Sequence, residues 1–158
     1  MPLGDVSLYE LAEAVKDRIE DQVTDLSQKI QVVDADEDVG PEELRKSLGT
    51  ARFGVRIQYP DPAIIPHPGF GSTTEFEFRL LLTVLHRKMG SMSRRPTGMD
   101  GTDVTKKYKE VVNALTGQRL SLLNKHGLEC GPASYVSNES ALQALQFTVT
   151  GKSQESRS

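Results

Sequence analysis

The residue types that most often carry chemistry are sparse in this chain and poorly spaced for it. His126 and Cys130 lie four apart, the interval that puts two metal ligands on one helix face, but Gly127 and the pair Gly131-Pro132 argue against a helix there. No third or fourth ligand follows at a matching interval. Cys130 as a nucleophile would need a neighbouring base, and the sequence identifies none. Asp34, Asp36 and Asp38 have the alternating rhythm of a calcium loop, yet Val39 stands where the loop needs glycine and Arg45 where it needs a bidentate glutamate. Pro68-Gly69-Phe70-Gly71-Ser72 is glycine-rich, but it lacks the Lys-Ser/Thr ending of a phosphate cradle and runs into a strand pattern instead of a helix. The expectation is a protein with no catalytic, metal or cofactor site, and not an enzyme.

One cluster has a different chemistry. His86, Arg87, Lys88, Arg94 and Arg95 are basic, and no acid interrupts them between Arg79 and Met99. A flexible cationic loop suits a phosphate backbone or an acidic protein surface. It has no interleaved aromatics for stacking on single strands. A solvated loop without a partner remains the alternative.

The 158 residues suffice for one domain, and 37% apolar residues give it a modest core. The longest nearly unbroken apolar stretch, Leu80 to Leu85, is far short of the roughly 20 residues of a membrane helix. Asp5 and Glu10 occupy the place of a signal peptide's apolar segment. A single cysteine points to a reducing, cytoplasmic setting. The net charge of −3 is unevenly spread: residues 1–50 hold 13 acids and 5 bases, residues 51–158 hold 9 acids and 14 bases. Such a subunit can attract copies of itself head to tail. An acidic helix that merely faces water is the simpler account.

The elements follow from periodicity. Ser7-Leu8-Tyr9-Glu10 forms a capping-box pattern, and Leu8, Leu11, Val15, Ile19, Val23 and Leu26 then recur on one face of a helix of about five turns. Ile30 to Val33 makes a short strand, and Glu42 to Leu48 a small helix. Phe53, Val55, Ile57 and Tyr59 alternate with Arg52, Gly54, Arg56 and Gln58, the mark of a strand with one buried face. Pro60-Asp61-Pro62 ends it, and a loop of some twelve residues is expected through Gly71. Thr73 to Arg87 is a strand whose second face turns apolar halfway along, so its later half should be covered on both sides. Lys88 to Gly101 reads as a loop. Asp103 can cap a helix carrying Val104, Tyr108, Val111, Val112 and Leu115, ending at Gly117. An extended piece around Cys130 to Val136 and a strand from Ala141 to Thr150 follow, and residues 152–158 are expected to be a disordered tail. The expected fold is one α+β domain over residues 1–151, a mainly antiparallel β-sheet with two long helices packed on one face.

Four segments in this order resemble bacteriophage tail terminator (tail-completion) proteins, near the branch of Mu-like phages with contractile tails. They are LYELAEAVKDRIEDQV with KIQVV; the pair RFGVRIQY and TEFEFRLLLTVLHR; VTKKYKEVVNALTGQRL; and LECGPASYVSNESALQALQFTVTG. The likeness covers about residues 7 to 151 and is a pattern of elements, not a signature. The chain departs from the pattern in its longer loops at 60–72 and 88–101 and in the insert 34–49.

The resemblance implies a structural virion protein at the head-proximal end of the tail, assembled in the host cytoplasm. Its partners would be copies of itself in a ring, generally a hexamer, the tail tube protein, and in contractile tails the sheath protein and the head connector or neck. DNA would pass through the ring only in transit, and no membrane or cofactor is involved. Another head–tail connector component, or a small ligand-binding α+β domain, are the alternatives. Interface candidates are the loop residues Ile64, Ile65 and Phe70, and the cations Arg87, Lys88, Arg94 and Arg95 facing an acidic neighbour or DNA. Their tucking against their own domain is the competing account. Reversing Arg94 and Arg95 to Glu should impair tail assembly while leaving the melting temperature nearly unchanged; normal assembly by that variant would remove the basic loop from the interface.

Overall fold

A computed structural model of the chain describes residues 7–23, 26, 29–33, 46, 48–49, 51–68, 71–87, 104–120, 123, 125–138 and 142–156. Along the chain these form α1 (Leu8–Gln22), β1 (Ile30–Val33), β2 (Phe53–Gln58), β3 (Ile64–Pro68), β4 (Thr73–Arg87), α2 (Val104–Leu115), β5 (His126–Cys130), β6 (Ser134–Asn138) and β7 (Leu142–Ser156). The fold is α+β: one seven-stranded sheet in the order β1-β2-β4-β7-β5, with β3 also on β4 and β6 also on β7.

The spine is β4 against β7. These two 15-residue strands pair antiparallel from Thr73↔Ser156 to Arg87↔Leu142 with no shift of register. Each is flanked by a broken strand. β2 and β3 lie end to end along β4, with Gln58 opposite Leu81 and Ile64 opposite Phe78. Five residues on one side thus span two on the other, and the excess bulges out around Pro60, Asp61 and Pro62, where the Asp61–Pro62 peptide is cis. The Arg79 N–H then donates to the Ala63 carbonyl at 2.8 Å and pairing resumes. β5 and β6 lie along β7 in the same way, Cys130 opposite Val149 and Ser134 opposite Gln146.

Two expectations are corrected here. The stretch from 60 to 72 is not simply a loop, because Ile64–Pro68 is a strand on β4. Its prolines hid it, since proline is excluded only from central strands and not from edges. Residues 152–156 are not a disordered tail. They continue β7 opposite Thr73–Glu77, with Ser153 fully buried. The pairing there uses backbone groups, so a polar sequence gave no alternation to detect. The extended piece near Cys130 is two strands, β5 and β6.

Both helices pack on one face of the sheet. Leu11, Ala12, Val15 and Ile19 of α1 and Val104, Val111, Ala114 and Leu115 of α2 meet Val55, Ile57, Leu80, Leu82, Val84, Leu145, Phe147 and Val149 in one core. Each such large side chain contributes roughly 1.5–3 kcal/mol by leaving water. Ser7 caps α1 by accepting the Glu10 N–H at 3.1 Å. Helix α1 ends at Gln22, one turn earlier than the periodicity implied, yet Val23 and Leu26 remain buried. The Arg18 Nε donates to the Ala114 carbonyl at 2.9 Å, which ties α1 to the last turn of α2.

The opposite face divides in two. Beside the later half of β4, Leu48, Leu85, Leu142 and Ala144 make a second apolar cluster, and Arg56 and Thr83 are buried as well. The expected double coverage of β4 is therefore present. Gly54 permits it: a Cβ there would stand 2.7 Å from Leu48 Cδ2.

The turn after α2 fixes the far side of the sheet. Gly117, at φ +81°, donates its N–H to the Leu128 carbonyl, and the Leu128 N–H returns to the Gln118 carbonyl, both at 2.9 Å. The two backbones come so close that a Cβ on Gly127 would lie 2.2 Å from the Gly117 oxygen. Gly127→Ala should therefore destabilise the protein by at least about 2 kcal/mol in urea unfolding. Gly117→Ala meets no atom and should lose only about 1 kcal/mol, through its positive φ. Equal midpoints for Gly127→Ala and the parent would mean that β5 does not lie against this turn.

Candidate interaction surfaces

Of the residues singled out from sequence, Ile64, Ile65 and Arg87 are described, whereas Phe70, Lys88, Arg94 and Arg95 lie outside the described residues, as do Asp34, Asp36 and Asp38. Ile64 and Ile65 occupy adjacent positions on β3 and so face opposite ways. Ile64 is 44% exposed and stands opposite Phe78 on the helix-bearing side; half-buried Ile65 stands opposite Glu77 on the other. Arg87 ends β4, nine residues beyond Phe78 and thus about 30 Å from Ile64. Its guanidinium donates to the Gly49 carbonyl and its own N–H to the Arg52 carbonyl. Among the described residues, Ile64 and Ile65 on the one hand and Arg87 on the other are not brought into one site.

His86 leaves the basic cluster altogether. It is fully buried opposite Phe53, with the rings stacked at 4.6 Å. The Lys107 ammonium stands 4.9 Å from the Phe53 centroid and 3.1 Å from a Glu110 carboxylate oxygen. Burying an ammonium costs several kcal/mol, and the carboxylate and the ring face offset part of that. A lysine at a core position of α2 breaks the apolar periodicity, so this cluster was not legible in sequence.

The earlier half of β4 presents charge on the face away from the helices. Glu75 and Glu77 share that face with His67 of β3 and with Lys152 and Gln154 of β7. The Lys125 ammonium reaches Glu75 at 2.8 Å, and His67 Nε2 lies 3.5 Å from Glu77. The Lys125 hydrogen bond holds the Glu75 carboxyl below its ordinary range, against an opposing effect of burial; the Lys125, Lys152 and His67 charges add to the lowering. Across from this ladder, half-buried Cys130 sits 3.7 Å from Thr116 Oγ1, and burial pushes its thiol up, away from the thiolate a nucleophile requires. Among the described residues no group of three or more His, Cys, Asp or Glu is placed to hold a metal ion. No helix among them is long and apolar enough to cross a membrane.

A groove of about 360 Å³ runs between the helices, lined by Arg18, Gln22, Glu110, Asn113 and Ala114. No residue from 60–72 lines it. Among the described residues, the large exposed apolar side chains are instead on the periphery: Tyr9 on α1, Ile64 on β3, and Tyr135 and Val136 on β6. Sequence reasoning passed over Tyr9, Tyr135 and Val136; the two in SYVSN sit in a strand-like run beside a glycine-proline turn, which is the only signal they give.

No model of a known protein family and no curated protein sequence matches the chain.

The Glu75–Lys125 pair yields a pH test. A carboxyl whose folded value is depressed stabilises fully above its ordinary value of about 4.3, and loses that contribution as pH falls through the lower folded value. Glu75→Gln should lower stability at pH 7 by up to about 1 kcal/mol, since the pair is partly exposed. The gap between parent and variant should close in acid. Parallel stability curves from pH 7 down into the acid range would remove the pair as a contributor.

Proposed function

We propose that this chain is a structural virion protein that caps the head-proximal end of a phage tail tube as a ring. It stops tube polymerisation, and in a contractile tail sheath polymerisation too, and it presents the surface that joins the head connector. The reading begins from the resemblance of four segments to tail terminators, and the order of α1, β1, β2, β4, α2 and the closing strands is compatible with it.

The observation that carries it is the inequality of the two ends of the sheet. One end is β1; the other is formed by β5 and β6 along β7. Closed rings of identical subunits need head-to-tail contacts, in which two different surfaces of the subunit meet. A subunit with both helices on one face and two unlike lateral ends has that form. Capping then requires only that one axial surface match the tube subunit and that the other offer no site to a further tube ring. No bond is made or broken in such a mechanism.

Gold-labelled antibody to this chain, imaged on intact phage particles by electron microscopy, should decorate the junction of tail and head. Particles without label, under conditions that label a known tail protein, would overturn the proposal. Label at the junction together with binding of the purified chain to portal assemblies, and not to tail tubes, would replace the terminator by a neck component.

A further inference from the structure

Four strands lie on the rims of this sheet, and two of them are closed to further pairing. On β3, the Arg79 N–H to Ala63 carbonyl bond sets the phase of the ladder, so Ile64, Pro66 and Pro68 direct their backbone away from β4. Two of those three positions are proline and cannot donate. On β5, Leu128 directs its backbone outward, where its carbonyl already accepts the Gly117 N–H and its N–H already donates to the Gln118 carbonyl. The outer edges of β1 and β6 differ: among the described residues none pairs with either.

These two edges stand at opposite ends of the sheet and on the same level. Register can be followed across it: Ile30 lies beside Val55, Val55 beside Val84, Val84 beside Leu145, and Leu145 beside Tyr135. The next row runs Gln31, Arg56, Thr83, Gln146, Ser134. β1 is parallel to β2, and β2 and β6 oppose β4 and β7 respectively, so β6 runs antiparallel to β1. Tyr135 and Val136, 49% and 44% exposed, crown the β6 edge. A second copy placed alongside thus meets β6 with its own β1 antiparallel and without vertical offset.

We infer that the occupant of the β6 edge is the β1 edge of another copy of this chain, so that the sheet continues from subunit to subunit. The inference deepens the ring reading and rests on it for closure, but the contact itself is testable without a tail. Both strands are short, four and five residues, and the junction holds only a few backbone hydrogen bonds. Assembly by this route is concentration-dependent.

Gln31 and Ser134 are both exposed and end one row of the sheet. Within a chain they are separated by four strand spacings, about 19 Å, far beyond the roughly 7 Å a disulfide tolerates between Cα atoms. Any bond between cysteines at these positions must therefore join two molecules. The full chain carrying Gln31→Cys and Ser134→Cys, with Cys130→Ser to remove the native thiol, is oxidised at millimolar concentration and run on a non-reducing gel. The expected result is a ladder of covalent species extending past the dimer, a mixture of the two single-cysteine chains stopping at the dimer, and loss of both on adding Val136→Lys. Urea midpoints of the reduced variants, matched to the parent, verify that they fold.

A double variant that cross-links no further than either single variant would overturn the inference, as would a ladder that survives Val136→Lys unchanged. So would a parent chain that sediments as a monomer across the same concentrations. The tail reading fails separately. A ladder without label at the tail junction would leave self-association and remove the tail; label without a ladder would do the reverse.

Discussion

Everything in this protein hangs on one ladder, the uninterrupted pairing of β4 with β7 over 15 positions. Its alternation assigns each side chain on both strands to a face, and a slip of one residue would exchange the faces throughout. Leu80, Leu82, Val84, Leu145, Phe147 and Val149 then lie under the helices, while Leu85, Leu142 and Ala144 lie on the reverse. The helices have no other large apolar surface to cover. Pairing through all 15 rows is also what carries the chain past Thr150 into a polar segment that has no core of its own.

The flanking strands are broken because the spine is not. Two long straight strands twist, and neighbours of the same length must accommodate that twist or interrupt their pairing. β2 and β3 interrupt around Pro60 and Pro62, and β5 and β6 around Gly131 and Pro132. The interruptions leave short strands where long ones would have stood, and with β1 covering β2 the rims are β1, β3, β5 and β6. Short rims are the safer design, since a long flat edge invites indiscriminate association. Proline closes one of them and the α2 turn closes another, so the pairing capacity that is left is small and placed at two defined positions.

How much of this the sequence disclosed depends on whether side chains or backbone groups make the element. The core stripe of α1, the alternation of Phe53, Val55 and Ile57, and the double-sided apolar half of β4 were all legible, because apolar burial writes its period into residue types. β3 was hidden by its prolines, and residues 152–156 by having no apolar member, because both are strands through the hydrogen bonds of β4. His86 reads in the sequence as one of a basic cluster and is a core ring, since stacking on Phe53 depends on cross-strand register, which no local window contains. By composition the interface candidates fall in loops. Those that the structure describes are dispersed, while Tyr135 and Val136, on an edge strand, drew no notice. An edge is a property of the whole sheet order and of no residue in it.

The reverse face carries the last consequence. Its earlier half is charged, but the charges answer one another: Lys125 pairs with Glu75 and Lys152 stands opposite Glu77, with the His67 ring 3.5 Å from Glu77. Such a surface is stable against water and has little net field with which to draw a partner, because Lys125 and Lys152 stand beside Glu75 and Glu77. Charge on this half therefore does little to select what binds. Selectivity falls instead to shape and to backbone hydrogen bonding at the sheet's ends, where register fixes which rows can meet. A contact of that kind is geometrically exacting but weak when taken singly. It becomes strong when several copies close on one another or when a preformed template holds them side by side, since each added contact is then made at high effective concentration. A cap built this way would be scarce in free solution and firm at the end of a tube.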